Sequence, residues 1–247
     1  MKIDRVTFTG VDDNTNIKDL ELISSQNPYV EWGILYSEKQ QGQGGKYPSK
    51  KTILKVLVHD GALKKYNTSL HLCGNVARDF ITKEIESYVT RMSFTIELPY
   101  LMMFCDRIQL NFSASRNKPD LFNFLPNVKK YKKPIILQIH SGNLDFINSI
   151  SKYTKDEFHY LFDASGGNGI EIQDIPLPSD YGLKDKYCAF AGGLSPDNLE
   201  EKLKLINASL PEDSIIGIDM ETGIRTDGKF DIEKVKRCVE IINKLNY

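Results

Sequence analysis

Short apolar runs and amphipathic segments alternate along almost the whole chain. Eight runs have the length and the β-branched or aromatic content of strands, and these are residues 5–9, 30–35, 69–73, 107–112, 135–140, 159–163, 188–191 and 215–220. Segments with helical periodicity lie between most of them, at residues 17–24, 50–58, 76–88, 119–131, 144–153, 196–208 and 232–245. This α/β pattern predicts a single closed parallel (β/α)8 barrel, a TIM barrel, with a doubly wound open sheet as the alternative.

Two segments depart from a minimal barrel. Residues 37–47, after the second predicted strand, are polar and glycine-rich, which is typical of an active-site loop and equally of an idle surface loop. Residues 93–105 form an apolar insertion before the fourth strand, where packing or an oligomer contact is the expected role. No low-complexity linker divides the chain, so its 247 residues predict one domain over residues 1–247.

Alternation within the strands predicts a polar pocket. Successive side chains of a strand point to opposite faces, and the face that contacts the outer helices of a barrel is apolar. The other face then projects into the lumen, and it carries Thr7, Thr9, His71, Cys73, Gln109, Asn111, Gln138, His140, Asp163, Asp219 and Glu221. Desolvating so many unpaired polar groups would cost a few kcal/mol each, so we expect them to serve a ligand. For His71 or Gln109 alone, a hydrogen-bonded core residue is the simpler interpretation.

Composition and charge narrow the classes of partner. The net charge is −1, so no overall field attracts nucleic acid or an anionic membrane. The chain has no apolar run of membrane-spanning length and does not begin like a signal peptide, so a cytoplasmic location is expected. The cysteines are widely separated without a C-x-x-C pair, which argues against a zinc ribbon and a disulfide scaffold. We expect Cys105, Cys188 and Cys238 to be buried apolar residues and treat Cys73 as a site candidate.

The last two predicted strands both break at glycine. Residues 191–198 read A-G-G-L-S-P-D-N, and residues 218–224 read I-D-M-E-T-G-I. Glycine lets the backbone approach an anion closely, and a helix that follows supplies free N–H groups. A pair of such strand ends predicts a phosphate cradle after strands 7 and 8, formed by Gly192, Gly193, Thr222 and Gly223. A simple strand-to-helix turn is the alternative for either segment alone.

Several of these segments resemble the phosphoribosylanthranilate isomerase family. Residues 7–10 (T-F-T-G) resemble the family's K-I-C-G, residues 108–111 (I-Q-L-N) resemble V-Q-L-H, residues 161–163 (L-F-D) with 166–169 (G-G-N-G) resemble L-L-D and G-G-x-G, residues 191–198 resemble S-G-G-L-x-P-E-N, and residues 218–224 resemble V-D-V-S-S-G-V. The segments keep the family's order and span most of the chain. The last three are the more specific.

The resemblance implies an Amadori rearrangement, in which a phosphorylated aminoaldose becomes an aminoketose without a cofactor, as in tryptophan biosynthesis. It places the general acid that opens the furanose ring at Asp163 and the first-strand general base at Thr9, where the family has cysteine. Lys46 is the nearest candidate for the family's anthranilate-binding arginine. An aliphatic hydroxyl does not act unaided as a base at neutral pH, so Cys73, Asp219, Glu221 and His140 are candidate replacements. Glu221 replaces a small hydroxyl residue and would repel a phosphate unless it is paired or turned away.

Three classes of function remain open at this point. The first is an isomerase of a phosphorylated sugar derivative, with Gln109, Asn111 and His140 among its substrate-binding residues. The second is a metal-assisted lyase or hydrolase, because suitable ligand types lie at one rim: His71, Cys73, His140, Asp163, Asp219 and Glu221. No H-x-H or H-E-x-x-H spacing fixes a metal cluster. The third is a barrel that binds a small phosphoester without catalysis, for which Thr9 is the main argument. The oligomeric state is left open.

Overall fold

Eight parallel strands close into a barrel, in a computed structural model that describes residues 1–58, 66–83, 97–150, 158–163, 172 and 174–245. The strands are β1 (Lys2–Thr9), β2 (Val30–Tyr36), β3 (Asn67–Cys73), β4 (Arg107–Asn111), β5 (Ile135–Ile139), β6 (Phe158–Asp163), β7 (Cys188–Ala191) and β8 (Ile215–Met220). They pair in chain order, and β1 pairs with β8 in a register that places Thr7 opposite Asp219. The predicted closed barrel is confirmed.

The outer layer is helical. Its helices are α1 (Ile17–Gln26), α2 (Lys50–Val58), α3 (Asn75–Thr82), α4 (Glu97–Phe104), α5 (Ala114–Asn117), α6 (Leu121–Tyr131), α7 (Leu144–Ile150), α8 (Leu199–Ser209) and α9 (Ile232–Leu245). Two 3-10 helices, Pro178–Tyr181 and Thr222–Ile224, and a hairpin of β9 (Arg225–Thr226) and β10 (Lys229–Phe230) complete the described elements. No helix among these residues is both long and apolar enough to cross a membrane.

Differences from the sequence prediction lie at element ends. The α6 and α8 helices begin at Leu121 and Leu199, after the predicted prolines. In α6 the Asp120 carboxylate accepts the Phe122 N–H at 2.9 Å, a side-chain cap that fixes this start. The predicted insertion at residues 93–105 contains α4, whereas residues 93–96 and the predicted helix ends at residues 88 and 153 lie outside the described part.

The apolar faces of the strands pack under the helices as predicted. Val6, Phe8, Leu70, Leu72, Ile108, Leu110, Leu137, Ile139, Phe162, Ile218 and Met220 all belong to one buried cluster. A smaller cluster of Ile136, Leu161, Ala189 and Ala191 has the opposite strand parity and therefore lies inside the barrel. All four cysteines are buried and unbridged. The core thus fixes which side chains reach the lumen.

A buried ion pair fills the lumen towards the N-terminal ends of the strands. Arg107 donates to Glu31 through Nη2 at 2.6 Å and Nε at 2.8 Å, a two-pronged geometry that suits a guanidinium and a carboxylate. Thr7 donates to the same carboxylate at 2.9 Å, and Arg107 Nη1 contacts His159 Nδ1 at 3.3 Å. Because arginine can only donate, this nitrogen of His159 is the acceptor. These hydrogen-bonded polar side chains occupy the lumen on the N-terminal side of the candidate site.

Candidate active site

A cavity of about 250 Å³ opens at the C-terminal ends of the strands. Its polar lining includes Lys46, Tyr47, Cys73, Gln109, Asn111, Gln138, Asp163, Asp219 and Glu221, and its glycine side is formed by Gly192, Gly193, Thr222 and Gly223. We call it the acidic pocket, because its described lining residues include three carboxyl groups and one lysine. The pocket lies where functional sites of (β/α)8 barrels are found.

Two glycine-broken strand ends form one wall of the acidic pocket. Gly192 and Gly193 have φ angles of 124° and 59°, which residues with a side chain rarely adopt. A Cβ on Gly223 would lie 2.0 Å from the Leu194 carbonyl oxygen, so the two strand ends touch through bare backbone. Within the described residues, the backbone N–H groups of Gly193 and Leu194 donate to no protein acceptor. This wall has the free donors that an anion requires.

Asp163 ends β6 and is buried at the floor of the pocket, with 5% of its surface exposed. Gln138 Nε2 approaches its Oδ2 at 3.5 Å, at the outer limit of a hydrogen bond. The glycines at 166–169, which follow Asp163 in the sequence, lie outside the described residues. Strand parity therefore brings Asp163 into the lumen as expected.

Asp219 lies beside Thr9 at the closure of the barrel. The Thr9 hydroxyl donates to Asp219 Oδ1 at 2.6 Å. Burial, and then repulsion from Glu221, Asp163 and Glu31, raise the pKa of Asp219 to about 7, against the lowering effect of the Thr9 hydrogen bond. Asp219 can therefore exchange a proton near neutral pH, as a general base or acid must. Thr9 does not line the cavity itself and contacts it through Asp219.

The loop after β2 supplies the cation of the acidic pocket. Lys46 Nζ lies 2.5 Å from Glu221 Oε1, although the two residues are 175 positions apart in the chain. Gln41 holds the start of the loop by accepting the Ser37 N–H at 3.1 Å, and Gly44 pairs with Tyr47 in a short bridge. Segment 37–47 therefore reaches the pocket, and the charge of Glu221 beside the glycine wall is compensated.

Cys73 is a poor base in this environment. Burial raises the pKa of its thiol to about 11, which outweighs the lowering effect of hydrogen bonds from Asn111 and Tyr47. Asn111 Nδ2 lies 3.4 Å from the sulfur, and Gln109 Nε2 donates to Asn111 Oδ1 at 3.0 Å. Gln109, Asn111 and Cys73 thus form a neutral, hydrogen-bonded side of the pocket.

The two histidines of the predicted polar face lie elsewhere. His71 is buried below the pocket, where burial and Arg107 lower its pKa to about 3, and its Nε2 has no hydrogen-bond partner among the described residues. His140 follows the end of β5 and lines neighbouring cavities. The described residues contain no group of three or more His, Cys, Asp and Glu side chains arranged to hold a metal ion.

Sequence reasoning missed Tyr47 and the apolar residues that complete the lining, Leu35, Leu194 and Met220. Tyr47 follows Lys46 directly in the chain, and this adjacency to the predicted cation is the sequence signal for it. Met220 has the parity of the apolar face and belongs to the buried cluster, and at the last position of β8 it also reaches the lining of the pocket. The fold and the site together define a (β/α)8-barrel protein with an acidic pocket beside two glycine-broken strand ends.

Comparison with known proteins finds similarity to one family. Residues 121–241 match the family model described as N-(5′-phosphoribosyl)anthranilate (PRA) isomerase. An N-(5′-phosphoribosyl)anthranilate isomerase from Wickerhamomyces anomalus is 29% identical over 140 residues, which are 55% of this chain and 53% of the relative. One from Zygosaccharomyces bailii is 34% identical over 91 residues, 33% of this chain and 38% of the relative. The matched part therefore spans about half of these curated relatives or less.

Solved structures match over nearly the full length of the chain. Phosphoribosyl anthranilate isomerase from Thermus thermophilus superposes with a TM-score of 0.59 and 16% identity, covering 98% of this chain and 99% of that chain. At this identity the likeness shows the shared fold. The family model and the curated relatives support the resemblance to the phosphoribosylanthranilate isomerase family that the sequence indicated, and the solved structures share its fold.

Proposed function

We propose that the chain is an isomerase that rearranges a phosphorylated aminosugar, with N-(5′-phosphoribosyl)anthranilate as the first substrate to test. One observation carries the proposal: Asp163 and Asp219 line the same cavity as the glycine-broken ends of β7 and β8. A phosphate bound at the glycine wall would hold the sugar across the two carboxyl groups. Isomerisation by proton transfer needs no cofactor, and it would serve a step like that of tryptophan biosynthesis.

Asp163 is proposed as the general acid. Its proton goes to the furanose ring oxygen, the bond between that oxygen and C1 breaks, and the nitrogen lone pair forms a C=N bond to C1. The family resemblance assigns this role to the aspartate that ends the sixth strand, which is Asp163 here. A carboxyl group 5% exposed at the pocket floor is shielded from bulk water, as proton delivery to a ring oxygen requires.

Asp219 is proposed as the general base in place of the family's cysteine. Its carboxylate removes the proton from C2, and the electrons of that bond neutralise the iminium nitrogen to form an enolamine, which then tautomerises to the ketone. A pKa of about 7 leaves a large fraction of Asp219 ionised near neutral pH while keeping it basic enough to accept the proton. The Thr9 hydroxyl orients this carboxylate at 2.6 Å instead of acting as the base.

Lys46, Glu221 and the glycine wall complete the proposed substrate site. The ion pair between Lys46 and Glu221 removes the repulsion that an isolated carboxylate would exert on a phosphate. Gln109 and Asn111 offer amide groups to the sugar hydroxyls from the opposite side. The cytoplasmic location and the single domain over residues 1–247 stay predictions.

The proposed function is tested by turnover of N-(5′-phosphoribosyl)anthranilate by the wild type and by Asp163→Asn and Asp219→Asn. Each variant should lose at least about 100-fold in kcat, because an amide can neither deliver nor accept the proton. Asp185→Asn, at an exposed carboxylate away from the pocket, should keep wild-type activity. Thr9→Cys supplies the family's thiol and should retain or raise turnover.

Different failures point to different conclusions. Turnover by Asp163→Asn at the wild-type rate would show that Asp163 is not the general acid. A wild type that binds the substrate without converting it, and a Thr9→Cys variant that is also inactive, would favour the non-catalytic phosphoester-binding barrel.

A further inference from the structure

A second cavity, of about 770 Å³, lies beside the acidic pocket at the ends of β3, β4 and β5. The two cavities share Asn111 and Gln138, so they are neighbours separated by these amide side chains. The second cavity contains His140, which the sequence had assigned to substrate binding, together with Arg78 and Arg116. We call it the cationic cavity.

The two cavities have opposite electrostatic character. Two arginines and no Asp or Glu are among the described residues that line the cationic cavity. His140 Nδ1 accepts the Gly142 N–H at 3.1 Å, which leaves Nε2 as the donor to the Phe112 carbonyl at 3.2 Å. In the acidic pocket, in contrast, the one lysine among the described lining residues is paired with Glu221. A second anionic group on a substrate would therefore be repelled by the acidic pocket and attracted by the cationic cavity.

The two arginines of the cationic cavity differ in their contacts. Arg78 Nε donates to Asp79 Oδ1 at 3.2 Å, and Lys83 Nζ contacts the same carboxylate oxygen at 3.2 Å. Arg116 forms no ion pair or hydrogen bond through its guanidinium in the described part of the chain. The guanidinium group suits two-pronged binding of a carboxylate or a phosphate.

The segment that carries Arg116 is held in place. Asn143 Oδ1 accepts the Ala114 N–H at 2.6 Å, while its Nδ2 donates to the carbonyls of Phe112 and Gln138 at 3.2 and 3.0 Å. The Ser113 and Ser115 hydroxyls lie 2.9 Å apart at the same wall. This single buried amide ties the start of α5 to the end of β5, so the cavity is a formed feature of the fold.

We propose that the cationic cavity binds a second anionic group of the substrate, a carboxylate or a phosphate, through Arg116. The inference rests on the proposed function, because the first phosphate of the same molecule would lie at the glycine wall of the acidic pocket. A molecule that spans both sites passes over Asn111 and Gln138, with its reacting carbons between Asp163 and Asp219. The protein would then select substrates that carry anions at both ends.

Calorimetric binding to the full chain tests the proposal, so the readout does not depend on turnover. Three probes are compared: ribose 5-phosphate, with one anionic group; ribulose 1,5-bisphosphate, with two phosphates; and the aminoketose formed from N-(5′-phosphoribosyl)anthranilate, with a phosphate and a carboxylate. The wild type should bind one of the two-anion probes more tightly than ribose 5-phosphate. Arg116→Gln should remove that difference, a loss of about ten-fold or more. Whichever two-anion probe binds more tightly shows whether the second anionic group is a phosphate or a carboxylate.

Lys118→Gln is the matched control, since it removes the same charge two residues away, outside the cavity lining. Ser115→Asp, which puts a negative charge at an exposed position of the cavity wall, should reproduce the loss if Arg116→Gln folds poorly. Equal affinity of the wild type for all three probes, or equal losses in Arg116→Gln and Lys118→Gln, would overturn the proposal. If the two-anion probes bind and ribose 5-phosphate does not, the glycine wall is not a phosphate site, and the assignment of Arg116 to an anionic group stands.

Discussion

The Thr9 hydroxyl donates a 2.6 Å hydrogen bond to Asp219 across the pairing of β1 with β8. Burial and three neighbouring carboxylates raise the pKa of Asp219 to about 7, and the Thr9 hydrogen bond opposes this rise. A threonine at the position of the family's catalytic cysteine is thus linked to another group that can exchange a proton. The consequence is a pH dependence that belongs to Asp219 and is adjusted by Thr9.

Removing the Thr9 hydroxyl should move the pH profile of the enzyme. In the wild type, kcat/KM is expected to rise with pH through about 7, because the base must lose its proton before it can act. Thr9→Val removes the donor that stabilises the carboxylate, so the midpoint should shift to higher pH. Thr9→Ser keeps the donor and should keep the midpoint. A midpoint unchanged in Thr9→Val would assign the titration to another group.

The raised pKa of Asp219 also predicts a stability effect of Asp219→Asn. Between pH 3.8 and about 7 the folded state keeps a proton that the unfolded state has lost, so wild-type stability falls as the pH rises through this window. Asparagine carries no such charge. The variant should therefore gain roughly a few kcal/mol over the wild type at pH 8, with the gain vanishing below pH 4.

Urea unfolding of both proteins across this pH range measures the difference. A destabilised Asp219→Asn variant at pH 8 would show that the ionised carboxylate is well solvated in the folded protein. The expected gain in stability would accompany the loss of turnover, as is common when a buried charge serves chemistry.

The Glu31 and Arg107 pair should contribute strongly to the stability of the fold. Both side chains are buried, with 0% and 7% of their surfaces exposed, so Arg107→Met leaves an unpaired carboxylate in the lumen. We expect a loss of about 3–5 kcal/mol in the free energy of unfolding. Lys204→Met breaks an exposed pair with Glu200 on α8 and should change little. A double variant, Glu31→Leu with Arg107→Met, should recover part of the loss.

Strand parity explains how much of the site could be predicted. Asp163, Asp219, Gln109, Asn111 and Cys73 all lie inside regular strands, so alternation alone brought them to the lumen. His140 lines the neighbouring cavities instead of the acidic pocket, because β5 ends at Ile139 and the alternation no longer sets the direction of a side chain beyond the strand end. The position of a side chain on a strand is thus predictable only while the strand continues.

The contacts that loops make could not be predicted from the alternation of apolar and polar residues. The ion pair of Lys46 with Glu221 joins the loop after β2 to the end of β8, and no periodicity relates positions 175 residues apart. The pKa of Asp219 depends on burial and on three other carboxylates, which only the closed barrel brings together. The charge contrast between the two cavities arises in the same way, from loops that follow different strands.

The glycine wall predicts the effect of a charge at its centre. Gly193→Asp should abolish the stabilisation of the protein by ribose 5-phosphate, because it places bulk and negative charge where the backbone must meet an anion. Gly182→Asp is the matched control: Gly182 has a φ of 67°, close to the 59° of Gly193, and a Cβ there meets nothing within 4 Å. Both variants place a side chain at a left-handed φ and add the same negative charge, so the comparison reports the effect of the position at the glycine wall. The measurement is the shift in melting temperature with increasing ribose 5-phosphate, and an equal shift in both variants would mean that the phosphate lies elsewhere.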